Sequence, residues 1–281
     1  MGLSIGVQDM FMLGEKIMSN VLNDANIARQ IMKGYHLSTG IDKNHNRIYF
    51  SSNEKLDSVF SGIDFTNKDV LSVLASGDQM FHFYDRGAKN VDTFDINVLT
   101  KYYYYLRKWV IEYKNRFYPK RKINKNYIKG IVSCVKAKTE EEKDALIFWN
   151  YLLESSYDIS NLFVFDRDLK KNRLSKLKHL RKILGEKNIV FHNIDLSSQI
   201  DIDKKYDIIY KSNISDYVNG SEKVLSVFRD NLYNLLNDDG IIISSNLCYD
   251  YCYANEFGVF GSLFNYELLN NGKGFIYRKR R

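Results

Sequence analysis

The chain contains one proline, Pro119, and three cysteines, Cys134, Cys248 and Cys252, in 281 residues. Cysteines so few and so unevenly placed exclude a disulfide framework and fit a reducing compartment, so a cytoplasmic protein is expected. Cys248 and Cys252 lack further Cys or His partners at ligand spacing, which argues against zinc. The histidines, His36, His45, His82, His179 and His192, are scattered and form no visible metal or nucleophile pair. His82 reads as a packing residue on the second turn of a helix. No stretch approaches the roughly 20 apolar residues of a membrane span. The opening MGLSIGVQDMFMLGEKIM is broken by Asp9 and Glu15, which leaves no continuous hydrophobic region for a signal peptide.

An apolar content of 44% supports a substantial core, suited to one large α/β domain with an appended piece. The most informative stretch runs from Asp69 to Tyr105. Val70 to Leu74 is a short, β-branched-rich apolar strand that stops at Ala75-Ser76-Gly77-Asp78, where small residues let the backbone turn close to a ligand. A helix over about Gln79 to Arg86 offers unpaired N–H groups at its start, and Gly87 ends it. A second strand, Val91 to Phe94, delivers Asp95 at its carboxyl end, where Rossmann-type folds place an acid against ribose hydroxyls, and Asn97 follows two residues on. The turn has a single glycine, Gly77, where a dinucleotide fingerprint needs three. Adenosine without a pyrophosphate fits better, and S-adenosylmethionine needs only a ribose-binding acid, an apolar adenine slot and a turn that admits its methionine end.

VLSVLASGDQ…GAKNVDTFDIN resembles the first half of a class I S-adenosylmethionine-dependent transferase. The SGD turn, the D-x-N after the second strand and the later SNISDYV resemble, more narrowly, the DUF3419 family, which includes enzymes that move the 3-amino-3-carboxypropyl group of S-adenosylmethionine onto a diacylglycerol. The resemblance covers residues 69 to 110 and 187 to 250, somewhat over a third of the chain. It implies that Gly77 and Asp78 lie near the methionine moiety and Asp95 at the ribose. It further implies a doubly wound, mainly parallel α/β sheet of the class I methyltransferase type. An antiparallel hairpin closes that sheet, and an N-terminal helical segment and a helical insertion accompany it.

The remaining chain reads as a continuation of that fold. Residues 1–48 are expected to form a helical cap, with Met10, Met12, Leu13, Ile17, Val21 and Leu22 on one apolar face. Residues 49–281 are expected to form the cofactor-binding domain, with a helical insertion at about 117–186. Thr100 to Arg116 predicts an aromatic-rich helix long enough to cross one face of the sheet. Its tyrosines invite base stacking, but buried core with hydroxyls reaching the edge is the default reading. Glu140, Glu141 and Glu142 open a helix and complement its dipole, which needs no catalytic explanation. NLFVFD, Asn161 to Asp166, fits a short strand or a buried loop. Asn188 to Ile194 predicts a third core strand ending at Asp195, which the resemblance places beside the adenine ring as an acceptor for its exocyclic amine and which otherwise reads as a helix cap.

A fourth strand, Tyr206 to Tyr210, runs into Lys211-Ser212-Asn213-Ile214-Ser215-Asp216-Tyr217. Polar residues at the carboxyl edge of a parallel sheet are where α/β folds put their chemistry. Ser212 and Asn213 are candidates for contacting the reactive end of the cofactor or the acceptor. Asp216 and Tyr217 are candidates for orienting or deprotonating an acceptor, or for capping the next helix. That helix, about Ser221 to Leu236, is closed by Asn237-Asp238-Asp239-Gly240, and Ile241 to Asn246 is a fifth strand. Two strands within Leu263 to Arg278 are joined at Asn270-Asn271-Gly272, a hairpin signal.

The expected function is S-adenosylmethionine-dependent transfer, with methyl transfer the broad expectation and aminocarboxypropyl transfer the narrower one. The acceptor, a small molecule or lipid, is not identified by the sequence. The net charge of +7 is concentrated in two segments, Lys114 to Lys129 and Arg167 to Lys187. The second carries Leu174, Leu177, Leu180 and Leu184 at helical spacing. Both segments suit polyanions such as RNA or an anionic membrane surface. The preferred reading is a solvated helix whose leucines pack inward, and a non-catalytic polyanion-binding protein is the alternative.

Overall fold

The computed structural model describes residues 7–34, 45–52, 54–114, 123–164, 177–187, 189–214, 222–245, 258, 260–269 and 274–280, excluding the side chains of 7–19, 177 and 222. In chain order the elements begin with α1 (Val7–Met32), β1 (Ile48–Tyr49), α2 (Leu56–Val59), β2 (Asp69–Val73), α3 (Asp78–Asp85) and β3 (Asn90–Phe94). They continue with α4 (Leu99–Lys114), α5 (Lys125–Val132), α6 (Glu140–Leu153) and β4 (Phe163–Val164). The last are α7 (Leu177–Glu186), β5 (Val190–His192), β6 (Tyr206–Ser212), α8 (Glu222–Leu235), β7 (Leu236–Ser245), β8 (Phe264–Leu268) and β9 (Gly274–Lys279). Residues 1–50 and 97–164 form one compact unit, and residues 51–96 and 165–281 form a second.

The first unit is helical. α1 packs on α6, α4 packs on α5 and α6, and β1 pairs in parallel with β4, so part of NLFVFD is strand. Tyr102, Tyr103, Tyr104 and Tyr105 are all buried, and the Tyr102 ring stacks on Phe148 at 4.0 Å, so the tyrosine run of α4 is core. α4 belongs to this unit. Trp149 Nε1 donates to Tyr102 O (2.9 Å), and Lys108 Nζ to Glu142 Oε1 (2.8 Å), both bonds buried. Thr139 caps α6 through the Glu142 N–H, so Glu142 serves the helix start and a buried ion pair together. Of the apolar face expected on α1, Val21 is buried and Leu22 half-buried, whereas the side chains of Met10, Met12, Leu13 and Ile17 lie outside the described part.

The second unit is built on a seven-stranded sheet in the order β5-β3-β2-β6-β7-β9-β8. β5, β3, β2, β6 and β7 pair in parallel, whereas β9 runs antiparallel to β7 and β8 antiparallel to β9. Counted along the sheet's own chain order this is 3-2-1-4-5-7-6, the doubly wound Rossmann order with one antiparallel strand set between the fifth and sixth. The fold is thus the mainly parallel α/β sheet with C-terminal antiparallel strands expected from the sequence. β2 is central, and Val70, Leu71, Ser72 and Leu74 are fully buried, as a strand covered on both faces requires.

The structure differs from the sequence reading at β7. Asn237-Asp238-Asp239-Gly240 was expected to be a turn before the strand, but β7 starts at Leu236, directly after α8. Leu236 pairs with Tyr206 and Ile241 with Ile208, so the intervening residues bulge out of register. The Asn237 amide donates to Asp207 Oδ1 (3.0 Å), which gives the bulge a partner that local turn chemistry does not reveal. The Asn270-Asn271-Gly272 turn lies outside the described residues, although the strands on either side of it pair as expected.

Candidate functional site

The strand order reverses between β2 and β6, which opens a crevice at the carboxyl ends of these strands. At the end of β2 the Leu74 N–H still donates to Phe94 O (2.9 Å), and the backbone then leaves the sheet with Ala75 at φ 42° and Gly77 at φ 79°. Gly77 adopts the left-handed conformation that glycine alone reaches without strain, and its N–H closes the turn on Leu74 O (2.6 Å). The Ala75 N–H donates to Asp95 Oδ2 (2.8 Å). Asp95 is itself fixed at the end of β3, its N–H on His192 O (3.2 Å) and its C=O accepting from the Asn193 amide (2.9 Å). The acid and the turn are therefore one assembly.

Asp78 opens α3 fully buried, and its Oδ2 accepts from Ser76 Oγ (2.8 Å) and the Ser52 N–H (2.5 Å). It thereby ties the turn to the Ser51–Ser52 segment. Two residues on, buried Glu54 reaches the ends of the other two strands. Its carboxylate accepts from Ser212 Oγ (2.5 Å), Ser245 Oγ (2.7 Å) and the Tyr210 hydroxyl. Burial, and then the neighbouring Glu54 charge, push the Tyr210 hydroxyl well above its ordinary pKa, so it remains a protonated donor. Ser212 holds φ 53° at the end of β6, an uncommon conformation for a residue with a Cβ. Its Oγ also lies 3.3 Å from the Asn213 side-chain oxygen.

Ala75, Ser76, Gly77, Asp78, Asp95, Ser212 and Asn213 thus all stand at the carboxyl edge of this unit. Asp195 follows β5 and turns the chain by accepting from the Ser197 N–H (2.9 Å) and hydroxyl (2.6 Å), in a turn rather than at a helix start. Asn97 belongs to the helical unit. Its side-chain oxygen accepts from the Asn46 and Leu99 N–H groups (3.2 Å each), and its amide donates to Asn46 O (3.0 Å), so it clamps a loop and starts α4. Asp216 and Tyr217 lie outside the described residues, as do Cys248 and Cys252. His82 is buried against Phe60, with Nδ1 3.5 Å from Asp57 Oδ1, in keeping with a packing residue.

Sequence reasoning missed Glu54, Tyr210 and Ser245. Glu54 lies in FSSNEKLD, a polar stretch without period, and its partners are 156 to 191 residues away. A cleft of about 310 Å³ lies at the opposite, amino-terminal edge, lined in part by Lys68, Asp207, Glu267 and Arg278. Its charged groups are largely engaged: Asp207 accepts from the Asp69 N–H, and Arg278 pairs with Glu267 at 3.1 Å. Among the described residues no cluster of His, Cys, Asp and Glu is placed to hold a metal ion, and no helix is long and apolar enough to cross a membrane.

No known family profile matches the chain, and no curated protein matches it in sequence. Solved structures similar to it include the PH0226 protein of Pyrococcus horikoshii OT3, at 11% identity and TM-score 0.44, covering 88% of this chain and 100% of that one. The ribosomal protein L11 methylase of Lactobacillus delbrueckii subsp. bulgaricus is 15% identical at TM-score 0.40, covering 80% and 77%. The N-methyltransferase NodS of Bradyrhizobium japonicum WM9, in complex with S-adenosyl-L-homocysteine, is 8% identical at TM-score 0.40, covering 80% and 84%. At these identities and TM-scores the likenesses assign neither an activity nor a role to any residue.

Proposed function

We propose that the chain is an S-adenosylmethionine-dependent transferase, with methyl transfer the leading reaction. The observation that carries this reading is the Asp95 carboxylate bonded to the Ala75 N–H, at the end of β3 and beside the positive-φ turn of β2. An acid in that place accepts from ribose hydroxyls, and a turn with one glycine admits a nucleoside that has no pyrophosphate. The donor set therefore fits the cofactor: Asp95 for the ribose, Ala75 to Asp78 beside its methionine end, and Asp195 for the exocyclic amine of adenine. When bound, the cofactor supplies a sulfonium-activated carbon. The chain then has to hold and orient an acceptor and take up at most one proton. Ser212 and Asn213 face that task at the end of β6, with Asp216 and Tyr217 as the proposed orienting or proton-accepting residues.

Aminocarboxypropyl transfer is the narrower reading, supported by the SGD turn, the D-x-N and the SNISDYV segment. The two reactions leave different products. Purified protein incubated with S-adenosylmethionine and cell extract is expected to release S-adenosylhomocysteine, read by mass spectrometry against Asp95→Ala. Methylthioadenosine instead identifies aminocarboxypropyl transfer, and neither product above the Asp95→Ala background contradicts the transferase reading. Polyanion binding has one supporting observation: Lys178, Arg181 and Lys182 are exposed on α7 while Leu180 and Leu184 are buried. It predicts salt-sensitive binding that Asp95→Ala leaves unchanged. The proposed setting is cytoplasmic, and the proposed acceptor a small molecule or lipid.

A further inference from the structure

Between Tyr210 and Ser212, β6 advances two residues while β7 advances one, from Ile243 to Ser244, so Lys211 is the extra residue of a β-bulge. Bulges re-aim side chains and gather next to active sites. Lys211 is fully buried, its Nζ 6.0 Å from the centre of the Phe228 ring and 5.6 Å from that of Phe260. Tyr210, one residue earlier, packs on Phe60 and Phe83 instead, so the two side chains leave the strand on opposite faces. Taking an ammonium out of water is costly, and a lysine buried whole at this edge calls for a role.

The bonds around Lys211 fix the direction of two protons. An ammonium only donates, so at its 2.9 Å contact with Ser244 Oγ the serine accepts, and the serine's own proton is left for Ser212 O at 3.3 Å. On the other face, Glu54 takes the Ser212 hydroxyl proton at 2.5 Å. Ser212, the residue at φ 53°, is thus gripped at its carbonyl from the Lys211 side and at its hydroxyl from the Glu54 side. A left-handed residue that carries a Cβ persists only where its surroundings over-determine it. We propose that Lys211 is a positioning residue: acting through Ser244, it holds the Ser212–Asn213 peptide in the conformation that receives the acceptor. This rests on the transferase reading above and adds to it a residue that serves the acceptor and not the nucleoside.

Two measurements test this together: calorimetric titration with S-adenosylhomocysteine, and initial rates of nucleoside release from S-adenosylmethionine and cell extract, taken above the Asp95→Ala background over a range of cofactor concentrations. Lys211→Met keeps the apolar stem and removes the donor. A hydrogen bond to a charged group corresponds to roughly ten- to hundredfold in rate. Lys211→Met should therefore lower the maximum rate about tenfold or more, with the KM for S-adenosylmethionine and the affinity for S-adenosylhomocysteine within about twofold of wild type. Ser244→Ala breaks the same relay and should give a loss of the same order, and the double variant should lose no more than the larger single loss, well short of their product. Should Lys211→Met not fold, Ser244→Ala carries the test with the same split between rate and affinity. An unchanged maximum rate, a loss that falls equally on S-adenosylhomocysteine affinity, or single losses that multiply in the double variant overturn the inference while leaving the cofactor reading intact. A wild type that releases no nucleoside above background overturns both.

Discussion

His82 is buried on α3, and burial, more than any neighbouring charge, holds its imidazole below the ordinary value of 6.5. The unfolded chain therefore takes up a proton near pH 6.5 that the folded chain still refuses, so stability falls as pH drops from 6.5 toward the lowered folded value. Burial lowers His192 as well, with the same sign. Urea-unfolding midpoints should decline from pH 7 to pH 5, and His82→Gln should flatten part of that decline. A wild type equally stable at both values contradicts this. Asp78→Ala is expected to cost about 2–4 kcal/mol, because it leaves the Ser76 hydroxyl and the Ser52 N–H without a buried acceptor they now share. Chemical denaturation reads that loss. Single residues are also where the sequence was least informative. The bond from the Asn46 N–H to the Asn97 side chain, 51 residues away, has no local signal.

Elements were more legible, because β2 is a short, mostly apolar run that ends in a glycine turn and β3 a short stretch between Gly87 and an acid, and the parallel sheet buries most of both. The start of β7 was not, since Asn-Asp-Asp-Gly carries every local mark of a turn and only pairing with β6 draws it into the sheet. Between α4 and α6, burial pushes the Glu142 carboxyl up, but the bonds from Lys108 and from the Lys138 N–H outweigh it and hold it below the ordinary value. Removing one partner of a buried pair costs roughly 3–5 kcal/mol, whereas replacing both with apolar residues of similar size is often neutral. Glu142→Ala should show that loss in denaturant melts, and Lys108→Met with Glu142→Leu should recover most of it. At the other end of the chain, β9 begins at Gly274, where a Cβ would overlap Ser244 O and come within 2.8 Å of Ser245 Cα. Gly274→Ala is expected to destabilise by about 1–3 kcal/mol, the usual penalty of overpacking, in the same assay.

For the whole molecule, the doubly wound sheet was legible because strand, turn, helix and acid recur in an order that few α/β topologies satisfy. The network on Glu54 was not, since it joins Ser52, Tyr210, Ser212 and Ser245 from three separate stretches of chain. That network gathers the carboxyl ends of β6 and β7 behind the turn of β2, and the acid at β3 completes the edge. Amide hydrogen exchange should be slowest in β2 and β6, whose residues are buried among paired neighbours on both sides, and faster in edge strand β8, where Tyr266 and Leu268 are exposed. The central claim is that this edge holds the nucleoside through Asp95. Asp95→Asn keeps an oxygen for the Ala75 N–H but removes the charge proposed to face the ribose. Titration of wild type and Asp95→Asn with S-adenosylhomocysteine is the most direct test. Saturable binding by the wild type, weakened about tenfold or more in the variant, is the predicted result. No binding by the wild type, or equal binding by both, would contradict it.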